Sequence, residues 1–243
     1  MNSRNKNALL TGRVFFYARL VPIQIVIFDI AGTIIQDRGE VSQAFVDAMR
    51  THGFSIADSD VLEWKGAGKR AVIRHLLTQS ARVADESAVE QIHTDFVATL
   101  HGQYEAGALQ AIDGAEETFK ALRDRGLTLA VTTGFGRSTM EMILARLGWA
   151  HYFAAAVSTE DVPQGRPAPD MITKAMRDSA VSNPLAVANV GDTPLDLQSA
   201  AAAGVALNIG VASGMHTRKR LEQELHTHLL TNVCELVSLF RGL

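Results

Sequence analysis

The sequence predicts an α/β protein in which helices cover both faces of a parallel sheet and an all-helical insertion follows the first strand. Three observations predict this fold. One apolar run ends at Asp29 and a second ends at Asp192, and from Gly114 onwards strand-like segments alternate with helix-like ones. Such alternation is typical of parallel sheets. With 243 residues, 47% of them hydrophobic, the chain is long enough for one core and a smaller inserted domain.

The first predicted strand, at residues 23–28, is followed by helical periodicity that continues to about Tyr104. Glycines and a polar stretch near residues 80–85 interrupt the periodicity. We expect four helices here, at residues 42–50, 60–64, 69–78 and 87–101. Because no strand-like segment lies among them, this stretch is predicted to be a helical insertion.

The second half of the chain alternates regularly. We expect helices at residues 115–125, 138–147, 170–178 and 196–203, and strands at residues 128–133, 154–158, 186–190 and 205–209. Right-handed crossovers would bring the carboxyl ends of all the strands to one edge, where ligands bind in such sheets. Asp29, Thr133, Arg166 and Asp192 all fall at that edge or just beyond it.

Charge and composition limit the partners. A formal net charge of −3 gives no reason to expect nucleic acid or an anionic membrane as a partner. The single cysteine, Cys234, cannot form an internal disulfide, which fits a reducing cytoplasm. Residues 1–22 are interpreted as a basic extension, since Arg19 interrupts an apolar run that is too short for a signal peptide. No membrane-spanning segment is predicted.

Acids at two strand ends suggest phosphoryl chemistry. A carboxylate such as Asp29 attacks phosphorus when a cation screens the repulsion between the two anions. Mg²⁺ suits this role, since it binds carboxylates, a carbonyl and waters. Asp29 and Asp192 are the candidate ligands. Asp196 is open to two interpretations: an outer member of the metal site, or an ordinary acid at a helix N-terminus.

Two further segments would complete such a site. Thr132-Thr133-Gly134 offers a hydroxyl and backbone N–H groups to a phosphoryl oxygen, although the same residues also suit a plain helix cap. Arg166 lies in a proline-rich loop that would hold its charge in place, and its alternative is a solvated surface arginine.

Taken together, these residues resemble the motifs of the haloacid dehalogenase (HAD) superfamily. The matching segments are residues 29–33, residues 132–134, Arg166 and residues 191–196. The resemblance implies a Rossmann-like core of residues 23–38 and 107–243 and a helical C1-type cap of residues 39–106. It also implies a phospho-aspartate on Asp29, with Mg²⁺ bound by Asp29, the Ala31 carbonyl, Asp192 and Asp196. Thr133 and Arg166 would be catalytic. Substrate-binding residues would be Gly32, Thr33, Gly66 and Gly134.

Ala31 narrows the assignment. Most phosphatases of this superfamily have a second aspartate at this position as a general acid, and alanine cannot transfer a proton. Asp-x-Ala-Gly-Thr is the pattern of phosphonoacetaldehyde hydrolases, or phosphonatases, and the chain is similar to this phosphonatase-like group. The chain departs from the phosphonatase pattern at four positions, where methionine, histidine, tyrosine and cysteine are replaced by Lys65, Val72, Phe135 and Gly39.

Phosphonatases cleave a carbon–phosphorus bond through a lysine that forms a Schiff base with the substrate aldehyde. Lys69 occupies the matching place, after Gly66-Ala67-Gly68 at a helix start. We expect Lys65 and Arg70 to lower its pKa. The alternative is a solvated lysine. The resemblance therefore predicts a hydrolase of a small phosphonate. A phosphatase acting on a small ester such as phosphoglycolate and, third, a non-catalytic binding protein are the alternatives. By analogy with phosphonatases, two chains would associate through their caps.

Overall fold

The computed structural model describes residues 21–79 and 85–242. At its centre lies a six-stranded parallel sheet. The strands are β1 (Ile25–Phe28), β2 (Thr128–Thr133), β3 (Ala155–Ser158), β4 (Val187–Gly191), β5 (Leu207–Val211) and β6 (His228–Leu230). They lie in the order β3-β2-β1-β4-β5-β6. The predicted α/β fold with a parallel sheet is confirmed, whereas residues 1–20 of the predicted N-terminal extension lie outside the described residues.

Four helices follow β1 in the described residues before Tyr104, as predicted. They are α1 (Glu40–Thr51), α2 (Asp58–Leu62), α3 (Lys69–Gln79) and α4 (Glu86–Gln103), followed by a π-helical turn at Tyr104–Ala108. We call residues 40–103 the helical insertion. Its described part, residues 40–79 and 85–103, contains no strand. The boundaries of a separate cap at residues 39 and 106 stay a prediction.

The remaining helices alternate with the strands. They are α5 (Ala115–Arg123), α6 (Arg137–Arg146), α7 (Asp170–Asp178), α8 (Pro194–Ala203), α9 (Arg218–Leu221) and α10 (Leu236–Leu239). Short 3₁₀ helices occur at Ala150–Tyr152, Thr159–Asp161, Pro184–Ala186 and Val233–Glu235. Among the described helices, none has the length and apolar character needed to cross a bilayer.

The central strand β1 explains the apolar run that precedes Asp29. It pairs with β2 on one side and β4 on the other, and all four of its residues are completely buried. Val26 and Phe28 pack into an apolar cluster on one face of the sheet, and Ile25 and Ile27 pack into a second cluster on the other. Because a strand covered on both faces has no solvent side, it is apolar at every position.

The helical insertion packs on itself and on the sheet. Phe45 of α1 and Phe96 of α4 stack with ring centroids 4.3 Å apart. Both belong to the apolar cluster that contains Phe28 of β1 and Phe119 of α5. Burial of this continuous apolar surface, worth roughly 25 cal/mol per Å², fixes the insertion above the sheet.

The predicted boundaries differ most near the C-terminus. The fifth strand begins at Leu207 instead of residue 205, because α8 ends at Gly204 in a left-handed conformation (φ +68°). The chain then needs Val205 and Ala206 to reach the sheet. The three-residue edge strand β6 is half-buried and has no clear apolar alternation, so its sequence did not predict it.

Candidate active site

Three carboxylates converge at the carboxyl edge of the sheet. Asp29 follows β1, and its backbone N–H continues the sheet by donating to Val190 O at 2.9 Å. Asp192 follows β4, and Asp196 lies in the first turn of α8. Each of the three side chains offers an oxygen within 4.8 Å of the others, and all three are buried. The structure thus brings together residues that are up to 167 positions apart in the chain.

Burial and mutual repulsion raise the pKa values of Asp29 and Asp192. Burial is the main cause of a pKa of about 6 for Asp29, and Arg166 partly opposes it while Asp196 adds to it. The pKa of Asp192 lies well above its usual range because of burial and the charges of Asp29 and Asp196. A buried cluster of hard oxygen ligands with excess negative charge fits a divalent cation such as Mg²⁺.

Asp196 has partners for both of its carboxylate oxygens. Oδ2 accepts from the Thr193 N–H at 3.0 Å and from the Thr193 hydroxyl at 2.6 Å, which caps α8. Oδ1 lies 2.9 Å from Arg166 Nε. This geometry favours the interpretation of Asp196 as a helix N-terminal acid, which also anchors Arg166.

Backbone and side-chain contacts hold Asp192 in place. The Thr33 hydroxyl donates to Asp192 Oδ1 at 3.0 Å. A Cβ on Gly32 (φ +85°) would lie 2.4 Å from Asp192 Oδ2, and one on Gly214 would lie 1.8 Å from it. Any side chain at either glycine would therefore displace the acid. Gly32 and Thr33, predicted to bind substrate, contact Asp192 in the structure.

Arg166 lies between the acids, so its alternative as a solvated surface residue is wrong. Its side chain is 3% exposed. Nη1 donates to Asp29 Oδ1 at 2.7 Å, and Nη2 donates to the carbonyl and hydroxyl of Thr132 at 3.1 and 2.8 Å. With Nε on Asp196, the guanidinium is fixed in one plane beside the proposed nucleophile.

Lys69 lies above the same acids, and its alternative as a solvated lysine is also wrong. It is 7% exposed, and its Nζ lies 4.8 Å from the centre of the Phe135 ring and donates to Ala67 O at 3.3 Å. Burial is the main cause that lowers the pKa of Lys69 to about 8. The charges of Lys65 and Arg166 lower it further, while the acids Asp29 and Asp37 oppose this shift.

The expectation that Arg70 lowers the pKa of Lys69 is not supported. Its guanidinium turns away and forms ion pairs with Glu90 and Glu160. Lys65 fulfils the expectation, because its charge does act on Lys69.

A buried ion pair between Lys65 and Asp37 was not predicted. Lys65 Nζ lies 2.5 Å from Asp37 Oδ2, and the two side chains are 5% and 6% exposed. Asp37 Oδ1 accepts from the Gly39 N–H at 3.0 Å, which fixes the carboxylate. The only sequence signal was Lys65 in place of an apolar residue in the phosphonatase pattern.

A small pocket lies between the sheet edge and the helical insertion. The residues around it are Asp29, Ala31, Asp37, Val41, Lys65, Gly66, Lys69, Thr133, Gly134, Phe135, Asp192 and Thr193. Its volume is about 20 Å³. One water needs roughly 10–15 Å³, so the pocket holds one or two waters, and a larger ligand enters only if the insertion moves. Ala31 contributes no proton-transferring group to it.

Glycines let the two sides of the pocket approach closely. A Cβ on Gly134 would lie 2.5 Å from Ala67 O and 2.7 Å from Gly66 O, and one on Gly66 (φ +89°) would lie 2.6 Å from Thr193 Oγ1. Thr133 Oγ1 accepts from the Phe135 N–H at 3.2 Å, which shapes the loop after β2. Gly66, Thr133 and Gly134, all predicted site residues, therefore lie together at the pocket.

Comparison with known proteins agrees with this geometry. The family model described as haloacid dehalogenase-like hydrolase matches residues 26–209, well over half of the chain. The chain belongs to this family. It is a hydrolase, and the third alternative, a non-catalytic binding protein, loses its support.

The relatives include enzymes that act on phosphonates and on phosphate esters. The phosphonoacetaldehyde hydrolase of Bacillus cereus (strain B4264) is 30% identical over 237 residues, which cover 90% of this chain and 87% of the relative. The phosphoglycolate phosphatase of Rhodobacter capsulatus is 26% identical over 180 residues, which cover 74% and 80%. A crystal structure of a phosphonoacetaldehyde hydrolase like protein from Oleispira antarctica has the same fold, with a TM-score of 0.79 at 22% identity and coverage of 91% and 92%.

Proposed function

We propose that the chain is a Mg²⁺-dependent hydrolase that cleaves the carbon–phosphorus bond of a small phosphonate such as phosphonoacetaldehyde. The observation that carries this proposal is a buried lysine amine, Lys69, in the same small pocket as the strand-end carboxylate Asp29. A phosphatase needs a general acid for its leaving alkoxide, and the pocket has Ala31 at the position where such an acid is expected. A Schiff base needs an unprotonated amine, and a pKa of about 8 makes one accessible near neutral pH.

In the proposed first stage, the Lys69 amine attacks the aldehyde carbon. The carbinolamine loses water, and a protonated imine forms between Lys69 and the substrate. This imine is an electron sink next to the carbon that carries phosphorus, so it accepts the electron pair of the breaking bond. Burial of the Lys69 amine helps to keep it unprotonated, because burial disfavours the charged form.

In the second stage, the Asp29 carboxylate attacks phosphorus. The carbon–phosphorus bond breaks, its electrons form an enamine on Lys69, and the phosphoryl group remains on Asp29. Protonation of the enamine and hydrolysis of the resulting imine release acetaldehyde, and water releases phosphate from Asp29. Arg166, which already contacts Asp29, would neutralise phosphoryl charge, and Thr133 and Gly134 would bind phosphoryl oxygens.

Mg²⁺ would be held by Asp29, Asp192 and the Ala31 carbonyl, with Asp196 nearby. The cation would screen the repulsion between the nucleophilic carboxylate and the anionic phosphoryl group. This assignment is supported by the raised pKa values of Asp29 and Asp192, since a bound cation stabilises their charged forms.

A phosphatase of small esters such as phosphoglycolate is the second candidate. Val72 favours it, because phosphonatases have a histidine for proton transfer at this position and Val72 is a buried apolar residue. The similarity to the Rhodobacter capsulatus phosphoglycolate phosphatase points the same way.

The two candidates differ in their need for Lys69. We expect release of phosphate from phosphonoacetaldehyde with Mg²⁺, loss of more than about 10³-fold of this activity in Lys69→Met, and faster turnover than with phosphoglycolate. Lys120, an exposed lysine on α5, gives the matched control Lys120→Met, which should keep full activity. Phosphoglycolate turnover that survives Lys69→Met, without phosphonate turnover by the wild type, would establish the ester alternative instead.

The same proposal includes the cellular context. We propose a reducing cytoplasm, since the single cysteine, Cys234, is a free thiol whose Sγ donates a hydrogen bond to the Asp113 carbonyl at 3.0 Å. A homodimer through the helical insertion, by analogy with phosphonatases, is testable by sedimentation equilibrium.

A further inference from the structure

Arg70, the residue after Lys69, joins the helical insertion to the sheet edge. Its Nε and Nη2 donate to both carboxylate oxygens of Glu90 in α4, at 2.6 and 3.1 Å. Its Nη1 donates at 2.7 Å to Glu160 Oε1, in the short helix that follows β3. One side chain therefore ties the start of α3 to a second helix of the insertion and to a loop of the core.

Glu160 continues this link to the loop after β2. Its Oε2 accepts from the Arg137 N–H at 3.0 Å, at the first residue of α6. The pKa of Glu160 is lowered by this N–H and by Arg70, against partial burial, so the carboxylate stays charged. The guanidinium of Arg137 pairs with Asp161, next to Glu160. The carboxylate that receives Arg70 thus also fixes the segment that follows Gly134.

The same loop supports the ring beneath Lys69. The Thr159 hydroxyl donates to Phe135 O at 3.2 Å. A Cβ on Gly68 would approach the Thr159 methyl group to 3.2 Å, so the loop before α3 rests on Thr159. Movement of residues 159 and 160 away from α3 would therefore move both Lys69 and the Phe135 ring.

We propose that Arg70 and Glu160 are positioning residues, whose ion pair holds the start of α3 on the core and keeps the Lys69 amine in the pocket. Neither residue lines the pocket, so both act through Lys69. The chemical consequence rests on the proposed function, whereas the contact that fixes α3 does not.

The chain provides a matched control one turn further along α3. Arg74 donates through Nε and Nη2 to both oxygens of Glu86, at 2.8 and 2.9 Å, and is similarly exposed. This pair lies wholly inside the helical insertion. Arg74→Met therefore removes a bidentate arginine–glutamate pair from the same helix without touching the contact to the core.

The test compares Arg70→Met, Glu160→Gln, their double variant and Arg74→Met. Partly exposed pairs contribute little, so we expect kcat/KM for phosphonoacetaldehyde and the rate of borohydride trapping at Lys69 to fall about fivefold in each of the first two. The double variant should fall no further than Arg70→Met, because that variant has already lost the contact between Arg70 and Glu160. A higher salt concentration should lower the trapping rate of the wild type towards the rates of Arg70→Met and Glu160→Gln. Arg74→Met should stay close to wild type.

Equal losses of kcat/KM in Arg70→Met and Arg74→Met would overturn the proposal. A loss of kcat/KM in the double variant that equals the product of the two single losses would also overturn it.

A second measurement separates this proposal from the function itself. Hydrogen–deuterium exchange of the peptide covering residues 69–79 needs no substrate. We expect faster exchange near its start in Arg70→Met and Glu160→Gln than in Arg74→Met. If the wild type traps no aldehyde but this difference appears, the proposed function fails and the positioning contact stands. Unchanged exchange in Arg70→Met would remove the positioning role.

Discussion

Gly134→Ala tests how closely the loop after β2 and the helical insertion must approach. The new Cβ would lie 2.5 Å from Ala67 O, which is about 0.9 Å closer than the 3.4 Å at which ordinary contact begins. A second overlap occurs with Gly66 O at 2.7 Å. Because both obstacles are backbone atoms, the loop before Lys69 has to move by nearly an ångström. Misplacement of a catalytic group by about 1 Å costs on the order of 10²-fold in rate.

We therefore expect kcat/KM for phosphonoacetaldehyde to fall about 10²-fold in Gly134→Ala, with the circular dichroism spectrum unchanged. Gly102→Ala is the control. Gly102 lies in α4 with open space at its Cβ position, so this change should leave kcat/KM as it is and add stability of up to about 1 kcal/mol. A Gly134→Ala enzyme within threefold of wild type would refute the idea that close approach of the two loops places Lys69.

Three other predictions concern the charges around the pocket. Lys65→Met should lower the free energy of unfolding by about 3 kcal/mol in urea titrations, because it leaves Asp37 buried without its partner. The double variant Lys65→Met with Asp37→Asn should recover part of this loss. Equal free energies of unfolding for Lys65→Met and the wild type would contradict this prediction. The rate of borohydride trapping should rise about tenfold per pH unit up to a pH of about 8 and then level off, since only the unprotonated Lys69 amine reacts. A trapping rate that stays constant from pH 6 to 9 would contradict the lowered pKa. Mg²⁺ should raise the Tm of the wild type but not the Tm of Asp192→Asn. Without Mg²⁺, the Tm of this variant should equal or exceed that of the wild type, because repulsion between Asp192 and Asp29 is relieved. A Mg²⁺-dependent rise in the Tm of the variant would contradict the metal assignment.

The sheet and its acids could be predicted because local patterns specify them. Each of the strands β1 to β5 is a short, largely apolar run, whereas β6 is not and was missed. Topology alone brings the residues after β1, β2 and β4 to one edge. The prediction that Asp29 and Asp192 share a site therefore required no knowledge of tertiary contacts. Arg166 required the motif resemblance, since the sequence of its loop is equally consistent with solvent exposure.

Contacts between distant polar residues could not be predicted. Asp37 and Lys65 are 28 positions apart, and only the packing of the helical insertion shows that they share a buried site. Arg70 and Glu160 are 90 positions apart, and charged residues of both types are common on protein surfaces. The expected effect of Arg70 on the pKa of Lys69 is not supported, because helix position fixes the Cα and not the partner that the guanidinium finds.

The most direct test of the central claim is mass spectrometry of the enzyme after incubation with phosphonoacetaldehyde, Mg²⁺ and sodium borohydride. If Lys69 forms the Schiff base, a two-carbon adduct should appear on the peptide that begins at Lys69 or contains it, with loss of activity in proportion to labelling. Asp29→Asn should still label Lys69 but retain the phosphoryl group on the adduct, because imine formation precedes the attack on phosphorus. An adduct on Lys65 or none at all, in an enzyme that still releases phosphate from this substrate, would contradict the account.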